Sequence, residues 1–259
     1  MPSFYRAAGA DFIASGHTRG PWHPDFQHAG PPSALLARAL EREAGDMQIV
    51  RLGVDLLKPV PIARLHLEVI ERTGGKRRRI LEAELSAADS GQLLARAQAL
   101  LLRRDELNLG DLPVHDPAPP PAPEVAEPYE FDFFTGPVGY HTAMELRLAS
   151  GGLGSGRTRM WMRQRIPLLP EETPSPLQRL MTVADSGNGV SMVLNPKEYG
   201  FANPDLTVNL RRLPRGEWLC LDAMTHLQDC GLGMAESRIW DQDGVVANGT
   251  QNLLVERAG

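Results

Sequence analysis

The chain has 259 residues, 42% of them hydrophobic and 23% charged, with a formal net charge of -5. That composition fits a soluble globular protein and excludes wholesale disorder, a collagen-like repeat and a disulfide scaffold. The acidic balance argues against a nucleic-acid partner. No apolar run approaches the roughly 18 residues that span a bilayer, so no membrane partner is expected.

The N-terminal stretch reaches Asp11 before any apolar run of signal-peptide length, so a cytoplasmic location is expected. Ser33–Glu43 follows Pro31-Pro32 and sets Leu35, Leu36, Ala39 and Leu40 on one face at helical spacing, opposite Arg38, Glu41 and Arg42. Strands follow with period two. Leu65, Leu67 and Val69 alternate with His66 and Glu68, and Leu81, Ala83 and Leu85 with Glu82 and Glu84. Gly74-Gly75 and Asp89-Ser90-Gly91 suit hairpin turns. The basic run Lys76–Arg79 reads as a solvated turn, with a grip on phosphates as its functional alternative.

Residues 113–128 hold seven of the 22 prolines. Proline lacks an N–H and fixes φ, so this stretch is expected as an extended, semi-rigid linker. It divides the chain into an N-terminal unit, 1–112, and a C-terminal unit, 129–259. In the second unit, His141–Ala149 and Arg157–Pro167 read as strands around the glycine-rich Gly151–Gly156. Ser175-Pro176-Leu177-Gln178 has the form of a capping box with proline at the first helical position. Leu177, Leu180, Met181 and Ala184 continue as an apolar stripe that Asn188 joins and that Asp185 borders. Asp241–Gly244 supplies another turn. Cys220 and Cys230 read as small buried thiols, and no Cys/His spacing suggests a metal.

The two units repeat. Leu52, Val54 and Leu56 match Leu206, Val208 and Leu210, and Leu65 and Leu67 match Leu219 and Leu221 at the same displacement. One position less aligns Pro61 with Pro214, Gly91 with Gly244, and Gln98 with Gln251. Each unit is a helix followed by several strands. The expected class is α+β, in which each antiparallel sheet wraps its own central helix and the two sheets join side by side.

Several motifs carry a resemblance. They are Gly20-Pro21-Trp22, His28 to Pro32 opening the first helix, Val54 to Pro61, Ala184 to Gly187, and Phe201 to Val208, with Gly216-Glu217-Trp218 and the Gln251 strand. In this order they resemble the thioesterase-like superfamily, double-hotdog relatives of acyl-CoA thioesterase II. The resemblance implies a double hotdog and a site made of a helix Asp, a last-strand Gln and a short polar residue near a strand start. Those roles fall on Asp185, on Gln251, and on Asn203 or Thr207. This chain carries Asp205-Leu206-Thr207 where the bacterial type enzymes have Asp-His-Ser.

The chemistry of these residue types agrees. A carboxylate on a buried helix edge can orient a water and take its proton, or it can be a structural Asp. An amide can donate and accept at once, so Gln251 can hold that water or the thioester oxygen, with Gln98 its counterpart in the first unit. Gly187 and Gly189, and Gly30 in the first unit, lack a Cβ and let a ligand approach the backbone, and Asn188 between the first two is a substrate-binding candidate with them. His28 is a secondary candidate with no partner Asp in its own helix. The expected activity is hydrolysis of an acyl-CoA thioester by an Asp185-activated water, with no cofactor beyond the coenzyme A of the substrate, in a homo-oligomer. The rivals are a non-catalytic acyl-binding protein and a hotdog enoyl-CoA hydratase. The hydratase is disfavoured because no His lies near Asp185 in sequence. Neither a nucleotide-binding glycine loop nor a Gly-x-Ser-x-Gly elbow is evident.

Overall fold

The computed structural model describes residues 1–110, 113, 116–134 and 136–257. The expected end of the first unit at 111–112, linker positions 114–115, and 258–259 at the end of the second unit lie outside the described residues. The chain runs β1 (Tyr5–Ala8), β2 (Asp11–Ala14), α1 (Gly30–Glu43), β3 (Met47–Leu56), β4 (Arg64–Thr73), β5 (Arg78–Ala87) and β6 (Leu93–Arg103). It continues with β7 (Glu127–Tyr129), α2 (Tyr140–Ala143), β8 (Met144–Ser150), β9 (Arg157–Gln164), α3 (Pro176–Ala184) and α4 (Gly187–Ser191). The last strands are β10 (Tyr199–Ala202), β11 (Asp205–Leu210), β12 (Trp218–Leu227), β13 (Leu232–Asp241) and β14 (Gly244–Arg257).

All of these strands form one 14-stranded sheet in the order β1-β2-β4-β5-β6-β3-β11-β14-β13-β12-β9-β8-β7, with β10 pairing β14 beside β11. The two halves meet at β3 and β11, where Leu52 lies opposite Val208, Val54 opposite Leu206, and Gly53 opposite Thr207. The residues matched in sequence, Leu52 with Leu206 and Val54 with Val208, thus exchange places across the seam. Outward from it, each half runs through its last, middle and first hairpin strands in the same order.

Burial follows the pleat. Leu52, Val54, Leu206 and Val208 are buried against the helices, as are Leu81, Ala83 and Leu85. Leu35, Leu36 and Leu40 of α1 and Leu177, Leu180 and Met181 of α3 join them in one core. Each of these leucine, valine and methionine side chains contributes roughly 1.5–3 kcal/mol by leaving water. Helix α1 begins three residues earlier than its apolar pattern predicts, because Pro31 and Pro32 occupy its first turn, where a missing N–H costs nothing.

Polar contacts lock the two helices together. Arg38 grips Glu172 with two bonds of 2.7 and 2.6 Å. Ser175 caps α3 by accepting from the Gln178 N–H at 3.1 Å. The Gln178 side chain reaches Glu41 of α1 instead of closing the expected capping box, and the Ser175 hydroxyl donates to the same carboxylate at 2.6 Å. Burial holds the Glu41 carboxyl above its ordinary range against these two donors.

The proline-rich segment is docked along part of its length. Trp161 Nε1 donates to Pro121 O at 2.7 Å, Arg147 to Pro123 O at 3.0 Å, and Arg211 pairs with Asp116 at 2.6 Å. Ala126 packs with Trp161, Cys220 and Trp240 in a second apolar cluster. Glu127 and Pro128, counted in the linker by composition, pair with β8, so the boundary at 128 falls inside a strand. The cysteines differ from each other: Cys220 is buried as expected, whereas Cys230 is exposed.

Candidate active site

Helix α3 stops at Asp185, its C-cap residue, and the chain restarts as α4 two residues later. This break brings the Asp185 carboxylate under the sheet, where only 7% of the residue is exposed. A buried carboxylate is costly unless hydrogen-bonded, and this one is held by two side-chain amides on one oxygen and approached by an imidazole on the other. Oδ1 accepts from Asn203 Nδ2 at 2.7 Å and from Gln251 Nε2 at 3.1 Å. Oδ2 lies 3.0 Å from His28 Nδ1.

Gln251 sits on the inner face of β14 and is buried. Its Nε2 donates to both the backbone oxygen and Oδ1 of Asp185, at 3.0 and 3.1 Å. Its Oε1 accepts from the Asn188 N–H at 3.2 Å. Both amide hydrogens are thereby spent on Asp185, so Gln251 orients the carboxylate. Of the two roles expected for the amide, holding a water or holding the thioester oxygen, neither has a hydrogen left over while both are given to Asp185.

His28 comes from the other half of the chain, immediately before α1. Its ring lies flat on Tyr140, with centroids 3.8 Å apart and planes 4° from parallel. The Tyr140 hydroxyl donates to Thr182 O at 2.9 Å and contacts Ser186 Oγ at 3.0 Å, which fixes the stacking platform to the break in α3. Burial holds the Tyr140 phenol far above its ordinary range, so it stays a neutral donor. Two partners meet at His28 Nδ1: the Asp185 carboxylate and the Gly30 N–H, each at 3.0 Å. With a proton on Nδ1, the imidazole donates to Asp185; without it, Nδ1 accepts from Gly30. The pair can therefore hold a proton in more than one arrangement. Burial pushes the His28 imidazole below its ordinary value, and the Asp185 charge pulls it partly back.

The structure unites Asp185, Asn203, Gln251 and His28, and sets Asn188 and Gly189 beside them. No His lies near Asp185 in sequence, which weighed against a hydratase, but His28 approaches it in space from the other half. The expectation for Thr207 is corrected. Its neighbours Leu206 and Val208 point inward, so Thr207 faces outward beside Thr250. Gln98 is exposed on the outer face and accepts from Arg51 at 3.2 Å. Two glycines serve packing rather than a ligand. A Cβ on Gly187 would lie 2.7 Å from Ser237 Oγ and 2.8 Å from Gln251 Oε1, and one on Gly30 would collide with Thr182 O. The basic run Lys76–Arg79 spans the end of the β4–β5 turn and the start of β5, near the Met47 end of β3, whereas the site adjoins the Leu56 end.

A cleft of about 480 Å³ opens onto this cluster. His28, Tyr140, Asp185, Asn188, Gly189 and Asn203 form its polar floor, and Lys58 stands among its walls. Asn188 Oδ1 is buried with no hydrogen-bond partner among the described residues, which leaves an acceptor unused there. Tyr140 gave no signal in the sequence, since a lone Tyr before a His carries no pattern that marks a stacking partner. Among the described residues, no three His, Cys, Asp or Glu side chains group as a metal site would require. No helix among them is long and apolar enough to cross a membrane.

The comparisons agree with this architecture. The acyl-CoA thioesterase N-terminal domain model matches residues 18–102, and the acyl-CoA thioesterase C-terminal domain model matches residues 110–255. The chain belongs to this acyl-CoA thioesterase family. A hot dog fold protein from Alicyclobacillus acidocaldarius is similar at 17% identity and a TM-score of 0.76, over 98% of this chain and 96% of that one. The tesB protein of Mycobacterium avium subsp. paratuberculosis is similar at 15% identity and 0.70, over 97% and 96%. The acyl-CoA thioesterase II TesB2 of Mycobacterium marinum is similar at 16% identity and 0.64, over 98% and 94%. These likenesses establish the hotdog fold. No curated protein matches the chain.

Proposed function

We propose that the protein hydrolyses an acyl-CoA thioester in the cytoplasm, by direct attack of a water activated at Asp185. The observation that carries this reading is the Asp185 carboxylate on the cleft floor, fixed through Oδ1 by Asn203 and Gln251 and touched at Oδ2 by His28. A water at the remaining lone pairs would give its proton to the Asp185–His28 pair as its oxygen adds to the thioester carbonyl. In this scheme the side-chain Nδ2 of Asn188, a residue that lines the cleft, donates to the oxygen that becomes negative. The tetrahedral intermediate then expels coenzyme A as a thiolate, which needs little protonation, and the acid is released. The reaction requires no cofactor in this scheme.

The symmetric seam between β3 and β11 and the matching strand order outward from it support a double hotdog formed from two repeats. A homo-oligomer is part of the same reading. The exposed Leu232, Met234 and Leu254 adjoin one another on β13 and β14 and offer an apolar contact. Light scattering that finds only a 28.4 kDa species would reject it. The activity is tested by thiol release from a panel of acyl-CoA thioesters. Saturable release supports hydrolysis, and binding without release supports the non-catalytic acyl-binding protein.

The His28–Asp185 contact favours a second reading, hydration of an enoyl-CoA. There, one member of the pair takes the proton of a water whose oxygen adds to C3, and the other returns a proton to C2. Loss of enoyl absorbance from crotonyl-CoA without thiol release would select it.

A further inference from the structure

The cleft is walled by rings. Trp22, Phe26, Phe131, Phe133, Phe134 and Phe201 all line it. Five of the seven phenylalanines of a chain with only 6% aromatic residues are thus gathered at one place. They come from three separate segments: the loop before α1, the stretch after β7, and β10. Five of these rings, all but Phe26, form a continuous surface. Trp22 and Phe133 are parallel within 5° at 6.0 Å, Phe131 and Phe133 lie 4.9 Å apart, Phe133 and Phe134 5.4 Å, and Trp22 and Phe201 6.5 Å.

Such a surface distinguishes acyl groups by shape and charge distribution. A flexible alkyl chain gains only the burial of its area. A flat ring gains that burial and, at each offset-stacked or edge-to-face contact, a further factor of about 2 to 12. It also loses fewer rotors on binding. The cleft volume suits a compact ligand. We infer that the acyl group this site selects is aromatic, an arylacyl or arylacetyl thioester, rather than a straight fatty chain. This inference rests on the hydrolase reading above.

The test compares phenylacetyl-CoA and benzoyl-CoA with hexanoyl-, octanoyl- and palmitoyl-CoA on the full chain, following thiol release. The inference predicts kcat/KM for the better aromatic thioester at least about 10-fold above the best straight-chain one. Octanoyl- or palmitoyl-CoA turned over as well or better would overturn it and leave the hydrolase intact. No release from any thioester would overturn the hydrolase reading and this inference together. Trp22 is half-exposed, so Trp22→Leu removes a ring without opening the core. The aromatic-to-octanoyl ratio should fall severalfold in Trp22→Leu and in Phe133→Leu; an unchanged ratio in both variants counts against ring recognition.

Discussion

His28 Nδ1 and Asp185 Oδ2 lie 3.0 Å apart although they come from opposite halves of the chain. The contact explains why neither half contains a complete site. The first half supplies the imidazole, and the second supplies the carboxylate, its orienting amides and the Tyr140 platform.

The first prediction concerns pH. Burial lowers the His28 pKa and Asp185 raises it in part, leaving it below the ordinary value of about 6.5. The folded chain then binds fewer protons at His28 than the unfolded chain does. The stability due to neutral His28 is present above about pH 6.5 and is lost as pH falls toward the lowered folded value. Asp185→Asn removes the charge that sustains the imidazole, so the His28 pKa should drop further. An NMR titration of the ring in both proteins checks this, and an upward shift in the variant would contradict it.

A second prediction separates two neighbouring glycines. Gly187→Ala forces its Cβ against Ser237 and Gln251, whereas a Cβ at Gly189 meets nothing within 4 Å. Gly187→Ala should cost about 1–3 kcal/mol of stability and most of the turnover. Gly189→Ala should melt with the parent. Equal melting temperatures for the two variants would show that the Gln251 side chain does not sit as described.

Gln251→Ala should act on geometry. It strips one of two donors from Asp185 Oδ1 and frees the Asn188 N–H. Misplacement of a reacting group by about 1 Å can cost up to about 10²-fold, so kcat should fall by that order with a smaller change in KM. Because the amide acts through Asp185, the double variant with Asp185→Asn should be no slower than Asp185→Asn alone. Additive losses would give Gln251 an independent role.

Much of the fold was legible because hydrophobic period and repeat spacing report burial directly. Leu52, Val54, Leu206 and Val208 alternate as inner residues must, and the structure pairs them at its centre. The same spacing misled at Gln98. Sliding the alignment by one position matched it to Gln251, yet one residue of slip in a strand exchanges the two faces, and Gln98 points to solvent. Thr207 came from the resemblance instead, and it faces outward because its neighbours Leu206 and Val208 take the inner face. Asp185, Gln251 and Asn203 were found through a resemblance, since their helix, strand and loop are distant in sequence. The His28 contact was not legible at all. It arises from the packing of α1 against α3, and no periodicity within either half encodes which residue meets which across that interface. The glycines at 30 and 187 were read as ligand approaches, but the backbone and side chains crowd there first.

A fourth prediction concerns acid stability away from the site. Asp241 is fully buried at its side chain and held by Arg212 and by the N–H groups of Arg215 and Asp243. Burial alone would raise its pKa, but these donors bring it below the ordinary value. Its contribution is therefore present above the unfolded carboxylate pKa and lost as pH falls through the lowered folded value. Asp241→Ala should cost about 3 kcal/mol at neutral pH. The acid limb of the melting curve should be shallower in this variant than in the parent, and an identical limb would contradict the assignment.

The most direct test of the account is turnover and melting temperature measured together on Asp185→Asn. The amide keeps the size of the carboxylate and is easier to bury, so folding should persist. Loss of a positioned general base costs about 10²–10⁴ in rate. The account predicts a variant that melts near the parent temperature and releases thiol from acyl-CoA at least about 10²-fold more slowly. A variant that melts early yet hydrolyses at the parent rate per folded molecule would make Asp185 structural and contradict the mechanism.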